Sequence, residues 1–376
     1  MNFPAQTVDR AASTQDRIRV LVADDSVVVR SALVRWIGEA EGMVVAGVAR
    51  NGREAVELVG EVNPDVVVLD VGMPSMDGLT ALPEMLGINP QLVVIVTSAQ
   101  TRQDAEIGMK ALTMGAKDYV PKPELTAAIW TSAEFRRALI DKIAELDRRR
   151  KPVRPSPRGP AAGVRARPGE GPAIRLRTLS RIMPQILAIG SSTGGPTALV
   201  KFFSDLGPAA QRVPVVVVQH MPATFTPIFA QHLAKAAGVP AAEGVQGEVL
   251  VPGRIYVAPG GRHMILAGPR SAPVIELNDD APVHYCRPAV DPLFSSVADL
   301  YGNSALAAVF TGMGADGAAG SVRIAEAGGS VIAQDEATSV VWGMPGATVQ
   351  AGAAAAVLPL NEIAPQVRAL LAGRTT

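Results

Sequence analysis

A stretch rich in arginine and proline near the middle of the chain limits what this sequence can fold into. Residues 148–177 carry ten arginine or lysine residues and six prolines, and Glu170 is the only acid among them. Proline lacks a backbone donor and like charges repel, so neither helix nor sheet is favoured. We interpret the stretch as an extended linker; an arginine-rich contact to an acidic partner is the alternative. The predicted limits are 17–140 for a first domain, 141–183 for the linker and 184–373 for a second domain.

Overall charge and cysteine content exclude several classes of protein. Lys and Arg total 35, as do Asp and Glu, and this balance argues against a nucleic-acid binder. A single cysteine, Cys286, excludes an intrachain disulfide framework and a multi-cysteine metal site. No apolar run approaches the roughly 18–20 residues that span a bilayer, and residues 1–17 lack the apolar stretch of a signal peptide. We therefore expect a cytoplasmic protein without membrane insertion.

The first part alternates short β-branched runs with amphipathic stretches. The runs predict strands at 18–23, 44–48, 66–69, 92–96 and 119–120. The stretches between them predict helices at 27–39, 53–62, 79–86 and 104–114, and a last helix is expected over 126–150. Apolar runs without strict alternation indicate strands covered on both faces. Five such units predict an α/β fold with a five-stranded, parallel, doubly wound sheet.

Polar residues follow four of these strands. Asp24 and Asp25 follow the first strand, Asp70 the third, Thr97 the fourth and Lys122 the fifth. Ligands bind at the carboxyl ends of parallel strands, and three carboxylates there suit a hard cation such as Mg²⁺. Taken singly, an aspartate after a strand is usually a helix N-cap, and the lysine could be a surface residue. The joint placement instead predicts phosphoryl transfer to Asp70.

These residues lie in motifs that resemble the receiver domain of bacterial response regulators. The matching segments are VADDS at 22–26, LDVGMPSMDG at 69–78 and YVPKP at 119–123. The resemblance implies a flavodoxin-like fold in which Asp70 is the phospho-acceptor and holds Mg²⁺ together with Asp24 and Asp25. It also implies that phosphorylation is coupled to conformation through the side chains of Thr97, Tyr119 and Lys122.

The second part restarts the α/β rhythm. Strands are predicted at 186–189, 215–218, 255–257, 306–310, 331–333 and 356–358, and helices at 197–206, 225–237, 293–301, 319–327 and 362–371. Residues 264–277 predict a hairpin insertion. The first strand runs into GSSTGGP at 190–196, a turn whose backbone N–H groups would face either a bound anion or a developing oxyanion. No Gly-Lys-Ser/Thr follows, so the turn is not a P-loop.

A hydroxyl nucleophile in this turn needs a base and an acid on the same edge of the sheet. His220 follows the second strand, and His263 is a further candidate for the base. Asp316 follows the fourth strand, although by itself it could be a helix N-cap. Ser192, His220 and Asp316 at three strand ends predict a serine triad. The chain order is not that of α/β-hydrolases, and Gly-x-Ser-x-Gly is absent.

Residues 184–371 resemble the catalytic domain of the chemotaxis protein-glutamate methylesterase (CheB) family. Matching motifs are SSTGGP at 191–196, QHMP at 219–222, VAPGGRHM at 257–264, RPAVD at 287–291, TGMGADG at 311–317 and AQDEATSVVWGMP at 333–345. The resemblance implies that Ser192 is the nucleophile, His220 the base and Asp316 the orienting acid, with Met313 bordering the oxyanion site. At two positions, Ala289 and Gly72, the chain departs from the residue that the family often has. Both departures leave Ser192, His220 and Asp316 intact.

The resemblance further implies an esterase without a cofactor of its own, and Mg²⁺ only in the receiver. Its substrates would be glutamyl methyl esters on the cytoplasmic helices of methyl-accepting chemoreceptors, and it would also deamidate certain glutamines. A chemotaxis histidine kinase would donate the phosphoryl group. The alternative is a phosphorylation-switched binding protein whose hydrolase domain is inactive.

Overall fold

The structure is a computed structural model that describes residues 17–98, 101–122, 132–148 and 176–374. These residues form two compact units, each built on a parallel sheet. Most of the predicted linker lies outside the described residues. So do positions 126–131 of the last helix predicted in the first part.

The first sheet has five parallel strands, as predicted, in the order β2-β1-β3-β4-β5. This is the doubly wound order with a switch point between β1 and β3. The elements in chain order are β1 (Ile18–Ala23), α1 (Val27–Glu39), β2 (Met43–Ala49), α2 (Gly52–Val62), β3 (Val66–Asp70), α3 (Gly78–Ile88), β4 (Val93–Ser98), α4 (Arg102–Thr113), β5 (Asp118–Pro121) and α5 (Ala133–Arg148).

Local sequence explains where several of these helices begin. The side chains of Ser26, Asn51 and Asp77 cap α1, α2 and α3 by accepting a backbone N–H from the first turn. The central strands β3 and β4 consist mainly of valine, and all of their residues are buried. Continuous burial of β-branched residues is typical of a parallel sheet that is covered on both faces.

The second sheet has seven parallel strands, in the order β14-β13-β12-β6-β7-β9-β8. Its elements are β6 (Ile186–Ser191), α6 (Gly195–Leu206), β7 (Val215–Gln219), α7 (Thr226–Ala237), β8 (Ala241–Glu243), β9 (Ile255–Val257), β10 (His263–Ala267), β11 (Val274–Asn278), α8 (Val290–Tyr301), β12 (Ala305–Val309), α9 (Ala318–Glu326), β13 (Ser330–Gln334), α10 (Gly343–Gln350), β14 (Ala356–Leu358) and α11 (Leu360–Leu371).

Comparison with the predicted elements of the second part shows one confirmed insertion and two omissions. Strands β10 and β11 pair antiparallel and form a separate hairpin, as predicted for 264–277. The edge strand β8 and the helix α10 were not predicted.

The chain passes from β6 to β7 on one side and later to β12 on the other, so a switch point lies between β6 and β12. Residues that follow these strands therefore face one crevice.

The helices are of moderate length. The longest in the described parts of the chain, α5, has 16 residues. No helix among the described residues is both long and apolar enough to cross a lipid bilayer.

Candidate functional site

Three carboxylates meet at the carboxyl edge of the first sheet. Asp24 and Asp25 follow β1, and Asp70 ends β3, so the switch point between these strands brings them together. Each offers one oxygen, and these oxygens lie within 4.8 Å of one another. Asp24 and Asp70 are buried, whereas Asp25 is exposed. The cluster therefore opens to solvent on the side of Asp25.

Lys122 balances part of this negative charge. Its Nζ lies 2.7 Å from Asp24 Oδ2 and 2.9 Å from Asp70 Oδ2. Burial acts to lower the pKa of Lys122, but the charges of Asp70 and Asp24 outweigh it and the pKa is raised. Burial raises the pKa of Asp24; Lys122 opposes this rise and Asp70 adds to it. The edge thus holds a fixed ammonium beside carboxylates that repel one another.

The donor set of this cluster fits Mg²⁺. All three donors are carboxylate oxygens, which hard cations prefer, and the open side leaves room for the water that Mg²⁺ retains. Burial is the largest cause of the raised pKa of Asp24, and the charge of Asp70 adds to the rise, so a cation between these two carboxylates is favoured. When bound there by Asp24, Asp25 and Asp70, Mg²⁺ would offset the repulsion between the carboxylates and an incoming phosphoryl group.

Thr97 and Tyr119 lie on the two strands next to Asp70. Thr97 is opposite Asp70 in the β3–β4 register, is fully buried, and its Oγ1 has no hydrogen-bond partner among the described residues. Tyr119 is buried in β5, and burial, helped by the charge of Asp118, raises its pKa well above the usual value. The Nζ of Lys142 lies 5.7 Å from the centre of the Tyr119 ring. Thr97 therefore offers an unsatisfied hydroxyl near the acidic cluster.

The glycine-rich turn of the second sheet is held by Gln219, the last residue of β7. Ser191 Oγ donates to Gln219 Oε1 at 2.6 Å, and Gln219 Nε2 donates to the carbonyl of Ser192 at 2.9 Å. A Cβ at Gly195 would lie 2.1 Å from Gln219 Oε1, so only glycine fits there. Gly194 has φ of 74°, in the left-handed region that glycine adopts without strain. The turn therefore places Ser192, which is half-buried, at the head of α6.

His220 and Asp316 form a direct pair beside this turn. The Nε2 of His220 lies 2.8 Å from Asp316 Oδ2, and the backbone N–H of His220 donates to the carbonyl of Ser191 at 3.1 Å. The structure thus brings together the ends of β6, β7 and the loop after β12, as the strand-end argument predicts.

The Asp316 carboxylate caps a helix other than the one that follows it. The helix after it, α9, begins at Ala318 with Gly317 as its N-cap, whereas Asp316 accepts the backbone N–H groups of Val290 (2.6 Å) and Asp291 (3.0 Å) in the first turn of α8. Gly317 N–H donates to it as well, at 2.9 Å. Burial acts to raise the pKa of Asp316, but the hydrogen bond with His220 and those from the backbone lower it. The buried carboxylate is therefore kept ionised.

The environment of His220 favours the imidazolium. Burial acts to lower the pKa of His220, but the hydrogen bond with Asp316 and the nearby thiol of Cys286 outweigh it and raise the pKa to about 10. Only 11% of the His220 side chain is exposed, so solvent screens these interactions little. The site is thus built to stabilise a proton on His220.

The loop after β12 packs against Ser192. The carbonyl of Thr311 accepts the backbone N–H of Ser192 at 3.1 Å, and a Cβ at Gly312 would lie 2.9 Å from Ser192 Cβ. Met313 follows Gly312 and is half-buried. This close approach explains the glycine at 312 and places Met313 one residue from the contact with Ser192.

The other histidines occupy different environments. His263 is buried between two backbone groups: its Nδ1 accepts the N–H of Ala289 and its Nε2 donates to the carbonyl of Ala281, both at 3.2 Å. Both ring nitrogens are occupied, so His263 is not available as a base. His232 lies half-buried on α7, and His284 lies in the loop before α8.

Sequence reasoning missed three contributors to this site. Gln219 is adjacent to His220 at a strand end, and that position could have indicated a role in holding the turn. Nothing local indicates that the backbone of Val290, 26 residues before Asp316, holds its carboxylate. Nothing local places Cys286 beside His220 either, because the two are brought together only by the fold.

The fold and the two sites define a response regulator in which a receiver domain is joined to a hydrolase domain. Residues 20–133 match the response regulator receiver domain, and residues 187–367 match CheB methylesterase. The chain belongs to the CheB methylesterase family and is an enzyme of the carboxylic ester hydrolase class.

Relatives match the chain along nearly all of its length. One from Nitrobacter hamburgensis, named protein-glutamate methylesterase/protein-glutamine glutaminase, is 50% identical over 365 residues, which cover 96% of this chain and 95% of the relative. A relative from Rhodopseudomonas palustris, given the same name with "of group 2 operon", is 48% identical over 370 residues, 95% of each chain. The crystal structure of the Thermotoga maritima CheB methylesterase catalytic domain covers 50% of this chain and 100% of its own, with 36% identity and a TM-score of 0.48.

Proposed function

We propose that this chain is a phosphorylation-regulated protein-glutamate methylesterase that acts in the cytoplasm on glutamyl methyl esters of chemoreceptor helices. The pair of His220 Nε2 and Asp316 Oδ2, 2.8 Å apart beside the Ser192 turn, is the observation that carries the proposal. The same acyl transfer, with ammonia leaving in place of methanol, deamidates certain glutamines. The names of the relatives support both activities.

In the proposed reaction Ser192 is the nucleophile. Asp316 engages Nε2 of His220, so Nδ1 is the ring nitrogen that takes the Ser192 proton while Oγ bonds to the ester carbon. His220 passes this proton to the departing methoxide, which leaves as methanol, and an acyl-enzyme remains. Water then attacks the acyl carbon and gives a proton to His220. Collapse of the intermediate releases the glutamate side chain, and Ser192 regains its proton.

The developing oxyanion needs donors that are already in place. The turn at 190–196 leads into the N-terminus of α6, whose dipole favours negative charge. The N–H of Gly195 is already bonded to the carbonyl of Ser192, and Pro196 has none. Gly312 packs on Ser192 from the opposite loop, and Met313 follows it. We assign the border of the oxyanion site to the Met313 region on this basis.

In the receiver we assign Asp70 as the phospho-acceptor, with a chemotaxis histidine kinase as donor. An Asp70 carboxylate oxygen attacks phosphorus, and the Lys122 ammonium, 2.9 Å from Asp70, stabilises charge on the transferred group. Thr97 Oγ1 then bonds a phosphoryl oxygen, and its movement, with that of Tyr119, carries the signal.

The predicted domain limits become part of this proposal. Residues 17–140 would form the receiver, 141–183 the linker and 184–373 the esterase. Helix α5 continues to Arg148, and its Ile143 and Leu146 are buried. This packing supports extending the receiver to the end of α5.

Release of methanol from methyl-labelled chemoreceptors tests the proposal. Ser192→Ala removes the nucleophile and should lower turnover by roughly 10³-fold or more. Ser295→Ala, on α8, is the matched control and should leave turnover unchanged. A Ser192→Ala variant that releases methanol at a near wild-type rate would contradict the nucleophile assignment. A wild-type chain that binds receptors in response to phosphorylation and releases no methanol would indicate the switched binding protein instead.

A further inference from the structure

A second group of metal-ligating side chains adjoins the His220–Asp316 pair. His284, Asp291 and Asp316 each present a ligand atom, and these atoms lie within 4.8 Å of one another. His284 lies in the loop before α8, Asp291 in the first turn of α8, and Asp316 in the loop after β12. The proposed hydrolysis uses only Asp316 of the three. Asp291 Oδ1 accepts the backbone N–H of Gly320 at 2.7 Å. His284 and Asp291 Oδ2 therefore carry ligand atoms that the proposed function does not use.

The distance between His284 and Asp291 matches that of two zinc ligands. His284 Nε2 and Asp291 Oδ2 are 3.4 Å apart. Two ligands bound tetrahedrally to zinc at about 2.0–2.1 Å stand about 3.4 Å from each other. A hydrogen bond between the same atoms would be shorter, at about 2.9 Å. The pair is thus spaced as one edge of a zinc tetrahedron.

The charge at this place also favours a cation. Asp291 and Asp316 are both buried, and among the described residues their ion-pair partners are histidines alone: His284 for Asp291 and His220 for Asp316. His220 already offsets the charge of Asp316. Asp291, whose ion-pair partner among the described residues is the half-exposed His284 alone, is therefore the carboxylate that gains most from an added positive charge. Imidazole nitrogen with carboxylate oxygen is a borderline donor set, which suits Zn²⁺ better than Mg²⁺.

We propose that His284, Asp291 and Asp316 form an inhibitory site for Zn²⁺. The His284 side chain is 47% exposed and gives the ion a route from solvent. Both oxygens of Asp316 are already hydrogen-bonded, Oδ1 to two backbone N–H groups and Oδ2 to one backbone N–H and to His220. His220 is the one side chain among these donors, so zinc gains an oxygen of Asp316 by displacing His220. Zinc binding therefore separates His220, the base, from the Asp316 carboxylate. The inhibition rests on the proposed function, whereas the binding does not.

Zinc binding is tested first, on the full chain, by competition with a chromogenic chelator in excess Mg²⁺, which occupies the receiver cluster. His284→Ala should weaken the site by roughly 100-fold or more, since even an outer partner of a metal ligand is worth about 10–100-fold. Asp291→Asn keeps the side-chain shape and should weaken it as well. His232→Ala, which removes a half-buried histidine on α7, is the matched control and should bind like wild type.

Methanol release in the presence of Zn²⁺ is the second readout. Zinc should inhibit the wild type and His232→Ala, a chelator should restore both, and His284→Ala should keep its activity. Equal zinc affinity in wild type and His284→Ala would overturn the site, and so would zinc that binds through His284 without slowing the enzyme. A chain with no esterase activity would overturn the proposed function instead, and the binding assay would still decide on the zinc site.

Discussion

Replacing Asp316 with asparagine tests whether its carboxylate supports His220. Oδ2 accepts from His220 and Val290, and Oδ1 accepts from Asp291 and Gly317. An amide has only one oxygen, so its NH₂ group must face one of these pairs of donors. Asp316→Asn therefore loses the negative charge and leaves at least one backbone N–H without an acceptor.

The expected size of the effect follows from the pKa of His220. A rise from 6.5 to about 10 corresponds to about 5 kcal/mol of preference for the imidazolium, shared between Asp316 and Cys286. If Asp316 supplies about half, the transition state that carries the imidazolium loses about 2–3 kcal/mol, or about 10²-fold in rate. Loss of the correct tautomer extends this toward about 10⁴-fold. At a pH where His220 is neutral, we expect kcat/KM of Asp316→Asn to be lower than that of the wild type by a factor between about 10² and about 10⁴.

The pH profile of kcat/KM distinguishes this mechanism from simple damage. His220 acts as a base only when it is neutral, so activity rises as pH passes its pKa. Asp316→Asn lowers that pKa, so the rise should begin at lower pH while the plateau drops. Thermal denaturation checks that the variant is folded, because an unsatisfied buried N–H costs about 1–3 kcal/mol. A variant with a plateau within tenfold of wild type and an unmoved profile would refute the reasoning.

Three further changes test other parts of the site. Cys286→Ala removes a side chain that raises the pKa of His220, so the rise of kcat/KM should start at lower pH, and the plateau should fall because part of the preference for the imidazolium is lost; a shift to higher pH would contradict this. Acetyl phosphate should label the wild type only with Mg²⁺ and should not label Asp70→Ala; labelling that survives both chelation and the substitution would exclude Asp70. A chain that begins near Arg181 should exceed the basal methanol release of the unphosphorylated full-length protein by severalfold to about 100-fold and ignore acetyl phosphate; a rate no higher than basal would exclude inhibition by the receiver.

The strands that were predictable are those whose local sequence and tertiary environment agree. Valine-rich runs such as Val66–Asp70 are both β-branched and fully buried, so pattern and packing favour the same structure. The helix α10 was missed because Gly343–Gln350 holds two glycines and a proline, all poor helix formers. It forms because Met344 is buried and its N–H donates to the carbonyl of Gly312 at 2.8 Å. β8 was missed because Ala-Ala-Glu carries no strand pattern, and it is held by pairing with β9.

The candidate site was predictable as far as strand ends determine it. In a parallel sheet all carboxyl ends lie on one edge, and residues after β6, β7 and β12 come close because these three strands are neighbours in the sheet. Their hydrogen bonds could not be predicted in the same way. The bonds that hold the Ser192 turn run through the Gln219 side chain, whose oxygen accepts from Ser191 and whose nitrogen donates to the carbonyl of Ser192. Such contacts depend on side-chain packing between segments far apart in sequence, which periodicity does not report.

His263 shows how a histidine in the catalytic neighbourhood serves the site without acting as a base. The first residue of α8, Val290, donates its N–H to Asp316, and the residue before it, Ala289, is held by His263 Nδ1. Ala289 begins the helix without a side-chain cap, so the Asp316 carboxylate itself satisfies the first N–H groups of α8. Helix and carboxylate stabilise each other. The positive end of the helix keeps Asp316 ionised, and the Asp316 carboxylate accepts the first N–H groups of the helix. Because His263 fixes where that helix starts, the charge that orients His220 depends on an imidazole whose hydrogen bonds go to Ala281 and Ala289 and to neither residue of the pair.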